Sequence, residues 1–138
     1  MFDQCLYFNT TALARVLDRE WTKAFKPFGL TPPQGFMLRA VLQQPGLLQG
    51  ELAQALVIQR PTATRALDGL QKLDLIERRP SAGDGRELEI HPTRAAHRIE
   101  ADLNAASGEV TRRLKRSLGA QTFDEAVARV KEVRSSLG

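Results

Sequence analysis

Between residues 48 and 93 the chain changes its periodicity from helical to strand-like, and that change narrows the folds open to it. Glu51-Leu52-Ala53-Gln54-Ala55-Leu56 has helical spacing and ends at a brief break. Ala63, Leu67 and Leu70 then recur three and four residues apart, the apolar stripe of a second helix that starts around Arg60. Pro61 suits its first turn, where a missing N–H leaves nothing unsatisfied. Residues 75–80 and 87–91 read as short strands. The turn between them, Ala82-Gly83-Asp84-Gly85-Arg86, holds two glycines that admit positive φ. Two short helices followed by a hairpin with an arginine at its tip are the parts of a winged helix-turn-helix.

In such a module the second helix enters the major groove of DNA and its first residues meet base edges. Thr62, Arg65 and Lys72 fall away from the apolar stripe, and Thr64 sits beside them. Arginine can fork onto guanine, threonine can bond a base edge or touch a thymine methyl, and lysine can pair with phosphate. The helix by itself is equally compatible with an ordinary solvated surface. In the hairpin, Asp84 and Arg86 stand two residues apart, so the carboxylate can steady a guanidinium aimed at phosphates or a narrow minor groove. The same pair also fits an exposed turn with an incidental ion pair, worth ~0–1 kcal/mol. Taken together, the candidate DNA-contacting residues are Gln59, Arg60, Thr62, Thr64, Arg65, Lys72, Asp84 and Arg86.

Long amphipathic segments flank this module. Leu6, Leu13, Val16, Leu17, Trp21, Ala24, Phe25 and Phe28 have helical spacing, stopped by Gly29. Thr31-Pro32-Pro33-Gln34 opens another helix with a capping box and a proline in its first turn. On the other side, Ile99, Leu103, Ala106, Val110, Leu114 and Leu118 form one stripe, and Phe123, Val127, Val130, Val133 and Leu137 a second beyond Gly119. The expectation is a single mainly α domain over 1–138: a winged helix-turn-helix at 30–92 with a small β-hairpin, and dimerisation helices at 1–29 and 93–138. Stripes of this kind must be buried. A second copy of the chain is one candidate to cover them, and packing back onto the module as a monomer is the other.

Composition excludes several classes. With 138 residues the chain is long enough for one core, and its net charge of +4 permits a polyanionic partner without requiring one. A single cysteine cannot form a disulfide within the chain and suits a reducing, cytoplasmic setting. The first residues lack a basic run followed by a long apolar one, so no signal peptide is expected, and no stretch is long and apolar enough for a membrane span. Phosphate-loop, HExxH and GxSxG patterns are absent, two histidines are too few for a metal cluster, and neither enzyme activity nor a cofactor is expected. The competing class is a winged helix used for protein contact without specific DNA binding. The basic group Arg112-Arg113-Lys115-Arg116 reads as a solvated helix face, with a nucleic-acid patch as the alternative.

Over essentially its whole length the sequence resembles the MarR family of bacterial transcription regulators. The resemblance rests on Gly29-Leu30-Thr31-Pro32-Pro33-Gln34, on Glu51-Leu52-Ala53, on Thr62-Ala63-Thr64-Arg65, on Asp84-Gly85-Arg86 and on Thr93, in that order and spacing. It implies a homodimeric repressor of a pseudo-palindromic operator, released by a small ligand or by oxidation. By position it assigns Thr62, Thr64 and Arg65 to the major groove and Arg86 to the minor groove, steadied by Asp84. Leu48 and Gln59 depart from the family in lacking the usual helix-capping side chains, Gly85 replaces a frequent arginine, and Asp74 a glycine. An aromatic effector is expected in the crevice between flanking helices and module, with Trp21, Phe25 and Phe36 as candidate walls. Some members sense peroxides through a cysteine in the first helix. The preferred reading of Cys5 is instead a small buried or dimer-interface residue.

Overall fold

The computed structural model describes residues 1–83 and 86–138. Helix α1 spans Leu6–Phe25 and runs into a 3₁₀ turn, Lys26–Phe28; α2 spans Pro32–Gln43, α3 Gln49–Ala55 and α4 Arg60–Lys72. The strands β1, Ile76–Pro80, and β2, Leu88–Pro92, form an antiparallel hairpin in which Arg78 faces Ile90. Two further helices follow, α5 over Arg94–Leu118 and α6 over Ala120–Leu137. The expected winged helix-turn-helix and the expected flanking helices are therefore present. No helix is long and apolar enough to cross a membrane among the described residues.

The capping box expected at α2 forms in full: Thr31 Oγ1 accepts from Gln34 N, and Thr31 N donates to Gln34 Oε1 at 2.9 Å. Helix α3 has only the reciprocal half, Leu48 N donating to Glu51 Oε1 at 2.9 Å, because a leucine side chain has no acceptor. Gln59 gives α4 no side-chain cap. At α5, Thr93 Oγ1 accepts from Ala96 N and donates to the Asp74 carbonyl at 2.7 Å, so one hydroxyl starts this helix and ties it to the end of α4.

Helices α3 and α4 end in the same way. After α3, Val57 N donates to Gln54 O and Ile58 N to Ala53 O; after α4, Asp74 N donates to Gln71 O and Leu75 N to Leu70 O. This pair of bonds satisfies the last carbonyls and requires a left-handed residue at the turn. Val57 (φ 56°) and Asp74 (φ 59°) occupy it. Aspartate tolerates that region, whereas a β-branched valine is strained there.

The core collects Phe25, Leu30, Met37, Leu38, Val41, Leu52, Ala63, Leu67, Leu70, Ile76, Ile90, Ala96 and Leu103, all buried. It is thus built from the module together with the end of α1 and the first half of α5. A third extended segment joins the hairpin. Gly46 N donates to Ile90 O and Ile90 N to Leu47 O, and Leu48 bridges to Glu89. The wing is thereby tied to the segment that opens α3, a pairing the sequence pattern did not reveal.

The outer halves of α1 and α6 contribute nothing to this core. Leu6, Tyr7, Leu13 and Val16 on α1 and Val127, Val130, Val133 and Leu137 on α6 are exposed, and α6 has no buried residue at all. Leu6, Tyr7, Val130, Val133 and Leu137 line one open apolar groove of about 610 Å³.

Val57→Asn should raise stability by about 1 kcal/mol, because asparagine enters the left-handed region at little cost. Thermal and urea unfolding of the two proteins measures this. A loss of stability would show that the valine side chain makes contacts that outweigh its backbone strain.

Candidate nucleic-acid interface

Helix α4 has two chemically distinct sides. Ala63, Ala66, Leu67 and Leu70 are buried, while Arg60, Pro61, Thr64, Arg65, Asp68, Gln71 and Lys72 are exposed. Helix α4 approaches α2 closely at Gly69. A Cβ at Gly69 would run into the Gln34 amide, the same side chain that caps α2. With one side closed into the core in this way, the rotational setting of α4 is fixed and the polar side faces out.

The candidate residues on α4 separate into two groups. Arg65 Nη2 lies 3.5 Å from Thr62 Oγ1, and both border a shallow cleft with Thr31 and Gln34 at the start of α2. Thr62 is half-buried, whereas Arg65 is exposed. On the other flank Thr64 Oγ1 donates to Arg60 O at 3.0 Å and accepts from Gln49 Nε2 at 2.8 Å. Gln49, Arg60, Thr64, Arg86, Glu87 and Leu88 line a cleft of about 310 Å³ between α3, α4 and the wing. The structure therefore brings Arg60, Thr64 and Arg86 together, with Arg65 on the adjoining surface. Gln59 is exposed just ahead of α4, and Lys72 is exposed at its far end. Lys72 lies seven residues beyond Arg65, a rise of about 10 Å, too far to share one base step. Asp84 lies outside the described residues; Arg86 is exposed.

Gln49 lines the candidate site, and sequence reasoning missed it. Its pairing with Thr64 spans fifteen positions and two helices, so no local pattern announces it. Arg78, in β1, was missed as well and is taken up below.

In the basic group of α5, the three arginines are engaged with acids. Arg112 and Arg116 reach Glu109 at 3.0 and 3.3 Å, and Arg113 reaches Glu20 at 3.3 Å. Hydrogen bonds from Arg112 and then Arg116 hold the Glu109 carboxyl below its ordinary pKa. This supports the solvated-face reading of that group. His91 pairs with Glu89 at 3.0 Å within β2, and His97 is exposed on α5.

The three aromatic residues expected around an effector take different places. Phe25 is fully enclosed in the core, its ring edge-on to Phe36 at 5.7 Å between centroids. As a wall of an open crevice it is therefore corrected to a core residue, since its ring is spent on packing α1 against α2. Trp21 is half-buried and donates from Nε1 to Ser107 Oγ at 3.0 Å. Phe36 is 38% exposed and borders a cleft of about 360 Å³ with Arg39, Ala40, Gln43, Leu56, Glu100 and Asn104. Arg39 lies over the Phe36 ring at 5.3 Å, donating from Nε to Asn104 Oδ1 at 2.8 Å and from Nη1 to Ser107 Oγ at 3.0 Å. Burial pulls the Arg39 pKa below its ordinary value. Cys5 is not buried: it is exposed at the start of α1, with its Sγ 3.5 Å from Phe8 N.

A buried-backed helix with polar residues outward, a preceding short helix and an adjoining arginine-bearing hairpin define a winged helix-turn-helix. Residues 28–87 match the model of the MarR family. The match covers the winged module, and the family it points to is one of transcription regulators. The chain is similar to the HTH-type transcriptional regulator MgrA of Staphylococcus aureus, 29% identical over 134 residues that cover 96% of this chain and 85% of the relative. A second relative, the uncharacterized HTH-type transcriptional regulator YybA of Bacillus subtilis, is 29% identical over 63% of this chain, which spans 58% of that protein's length. Among solved structures, the transcriptional repressor CouR bound to a 23-mer DNA duplex superposes with a TM-score of 0.82 at 25% identity, covering 96% of this chain and 94% of that one.

Proposed function

We propose that the protein is a homodimeric DNA-binding regulator that represses transcription from a pseudo-palindromic operator and is released by a small aromatic ligand. The observation that carries the DNA reading is the outward side of α4. Arg60, Thr64 and Arg65 stand exposed on a helix whose other side is locked into the core, with Arg86 in the neighbouring wing. In this reading Arg65 forks onto a guanine edge, Thr62 and Thr64 contact bases, and Gln59, Arg60 and Lys72 hold phosphates. Arg86 reaches the minor groove, and Asp84 steadies its guanidinium. The CouR–duplex complex and its description as a repressor support the assignment.

The two arginines should fail differently. With an operator selected by the wild-type protein from a random duplex library, Arg65→Ala should cost ~1–3 kcal/mol and flatten discrimination at one base pair in each half-site. Arg86→Ala should weaken binding to many sequences alike and make the salt slope shallower by about one charge per subunit. Competition binding on single-base variants at two salt concentrations separates these outcomes. Unchanged base discrimination in Arg65→Ala would show that α4 does not read the major groove.

The homodimer rests on the exposed apolar residues of α1 and α6, which the chain's own core leaves uncovered. A second copy would cover them and place two copies of α4 about one DNA turn, ~34 Å, apart. Light scattering should report twice the 15.3 kDa chain mass. Val127→Asp with Val130→Asp should give a folded monomer that no longer binds the operator specifically, because half-sites are then read singly. A wild-type particle of single-chain mass at micromolar concentration would end the dimer reading.

The effector reading rests on the cleft beside Phe36, where an aromatic face and the Arg39 cation lie together. A ligand bound there alters operator affinity only by favouring one setting of the two copies of α4 over another. Aromatic carboxylates and phenols should raise the melting temperature of the protein and weaken its operator binding, and Phe36→Ala should abolish both effects. A broad panel without effect on either quantity would remove the effector from the proposal.

A further inference from the structure

The guanidinium of Arg78 connects the wing to the helix that carries the base-reading residues. Ile76 and Arg78 lie on the same side of β1, and the cross-strand partner of Arg78 is the fully buried Ile90. The Arg78 side chain is only 15% exposed, so a charge has been placed on the apolar side of the hairpin. From there Nη2 reaches Asp68 Oδ1 at 2.9 Å, and Nη1 donates to Gln71 Oε1 at 2.7 Å. The two acceptors are three residues apart on α4, on one helix face. The third nitrogen, Nε, is buried with no hydrogen-bond partner among the described residues. Taking a cation out of water and leaving one of its donors unmet is unfavourable, and an apolar side chain of similar volume would fill the space at less cost. What the planar fork adds is direction: two bonds to one helix face hold that face at one angle.

We propose that Arg78 is a positioning residue that clamps α4 against the wing and so sets the angle at which Arg65 and Thr64 meet base edges. The inference rests on the DNA-reading role of α4 proposed above. Asp68 follows Arg65 by three residues and lies on its side of α4. The clamp therefore acts directly beneath the base-reading stretch, and in addition it neutralises a carboxylate that would otherwise face phosphates.

Geometry and charge can be told apart. Asp68→Asn and Asp68→Ala remove the same negative charge, but only the amide keeps an acceptor for Nη2. With the selected operator, Asp68→Asn should retain wild-type base discrimination, whereas Asp68→Ala should lose about tenfold of it, the size of one charge-assisted hydrogen bond. The salt slope should be the same in the two variants. Equal discrimination in both would overturn the clamp and leave only the charge effect. A second measurement needs no DNA. In Arg78→Lys, confirmed as folded by its melting transition, amide hydrogen exchange in β1 and the second half of α4 should quicken while exchange in α5 stays unchanged. Unchanged exchange in β1 and α4 would overturn the proposal. If the wild-type protein selects no duplex, the DNA reading fails by itself, and the exchange experiment still decides whether Arg78 clamps the helix.

Discussion

Everything that faces outward from this module depends on how α4 buries its inward side. Ala63, Ala66, Leu67 and Leu70 are packed to completion, or nearly so. Close-packed interiors hold their side chains in one arrangement, so an element with one filled side has little rotational freedom. The small residues on that side matter as much as the leucines. Gly69 lets α4 approach the Gln34 side chain, and Gln34 also closes the capping box of α2. The start of α2 and the seating of α4 are thereby linked through a single amide. The polar stretch from Arg60 to Lys72 inherits its direction from this seating.

A second level of constraint joins the module to its flanking helices. Ser107 on α5 is the one buried polar residue among those described, and its hydroxyl accepts from Trp21 of α1 and from Arg39 of α2. Buried polar groups are tolerated when they are satisfied, and such contacts specify relative placement more than they add stability. Three helices meet at that hydroxyl, at the edge of the cleft bordered by Phe36. Beyond it, α1 and α6 run outward with their apolar residues uncovered. A ligand in the cleft would press on helices that are packed to the module at one end and, in the proposed dimer, to a second copy at the other.

Much of the fold was legible because it is written in local terms. Helical spacing, the Thr31–Gln34 capping box and the Gly29 stop each act over a few residues, and each appears in the structure. The left-handed residue after α3 was not legible. Glycine or asparagine announces such a position, and here it is Val57, held by the bonds that close the end of α3. The strand-like pairing of residues 46–48 with β2 was equally hidden, because main-chain bonds between distant segments leave no side-chain pattern. Phe25 was misjudged as a wall for the related reason that an aromatic on an amphipathic stripe does not reveal which neighbours will enclose it.

The sequence alone determined the order and type of the elements, the apolar stripes that demand burial, and the identity of the polar residues at the start of α4. Periodicity, caps and turn residues operate within single segments, so a linear reading reaches them. Tertiary structure decided which polar residues stand together: Gln49 with Thr64, Arg60 beside Arg86, and Arg78 between Asp68 and Gln71. It also decided which apolar residues the chain covers by itself and which, on α1 and α6, it leaves open. These outcomes depend on distances between segments far apart in sequence. Such distances follow only from the packing of whole helices against one another.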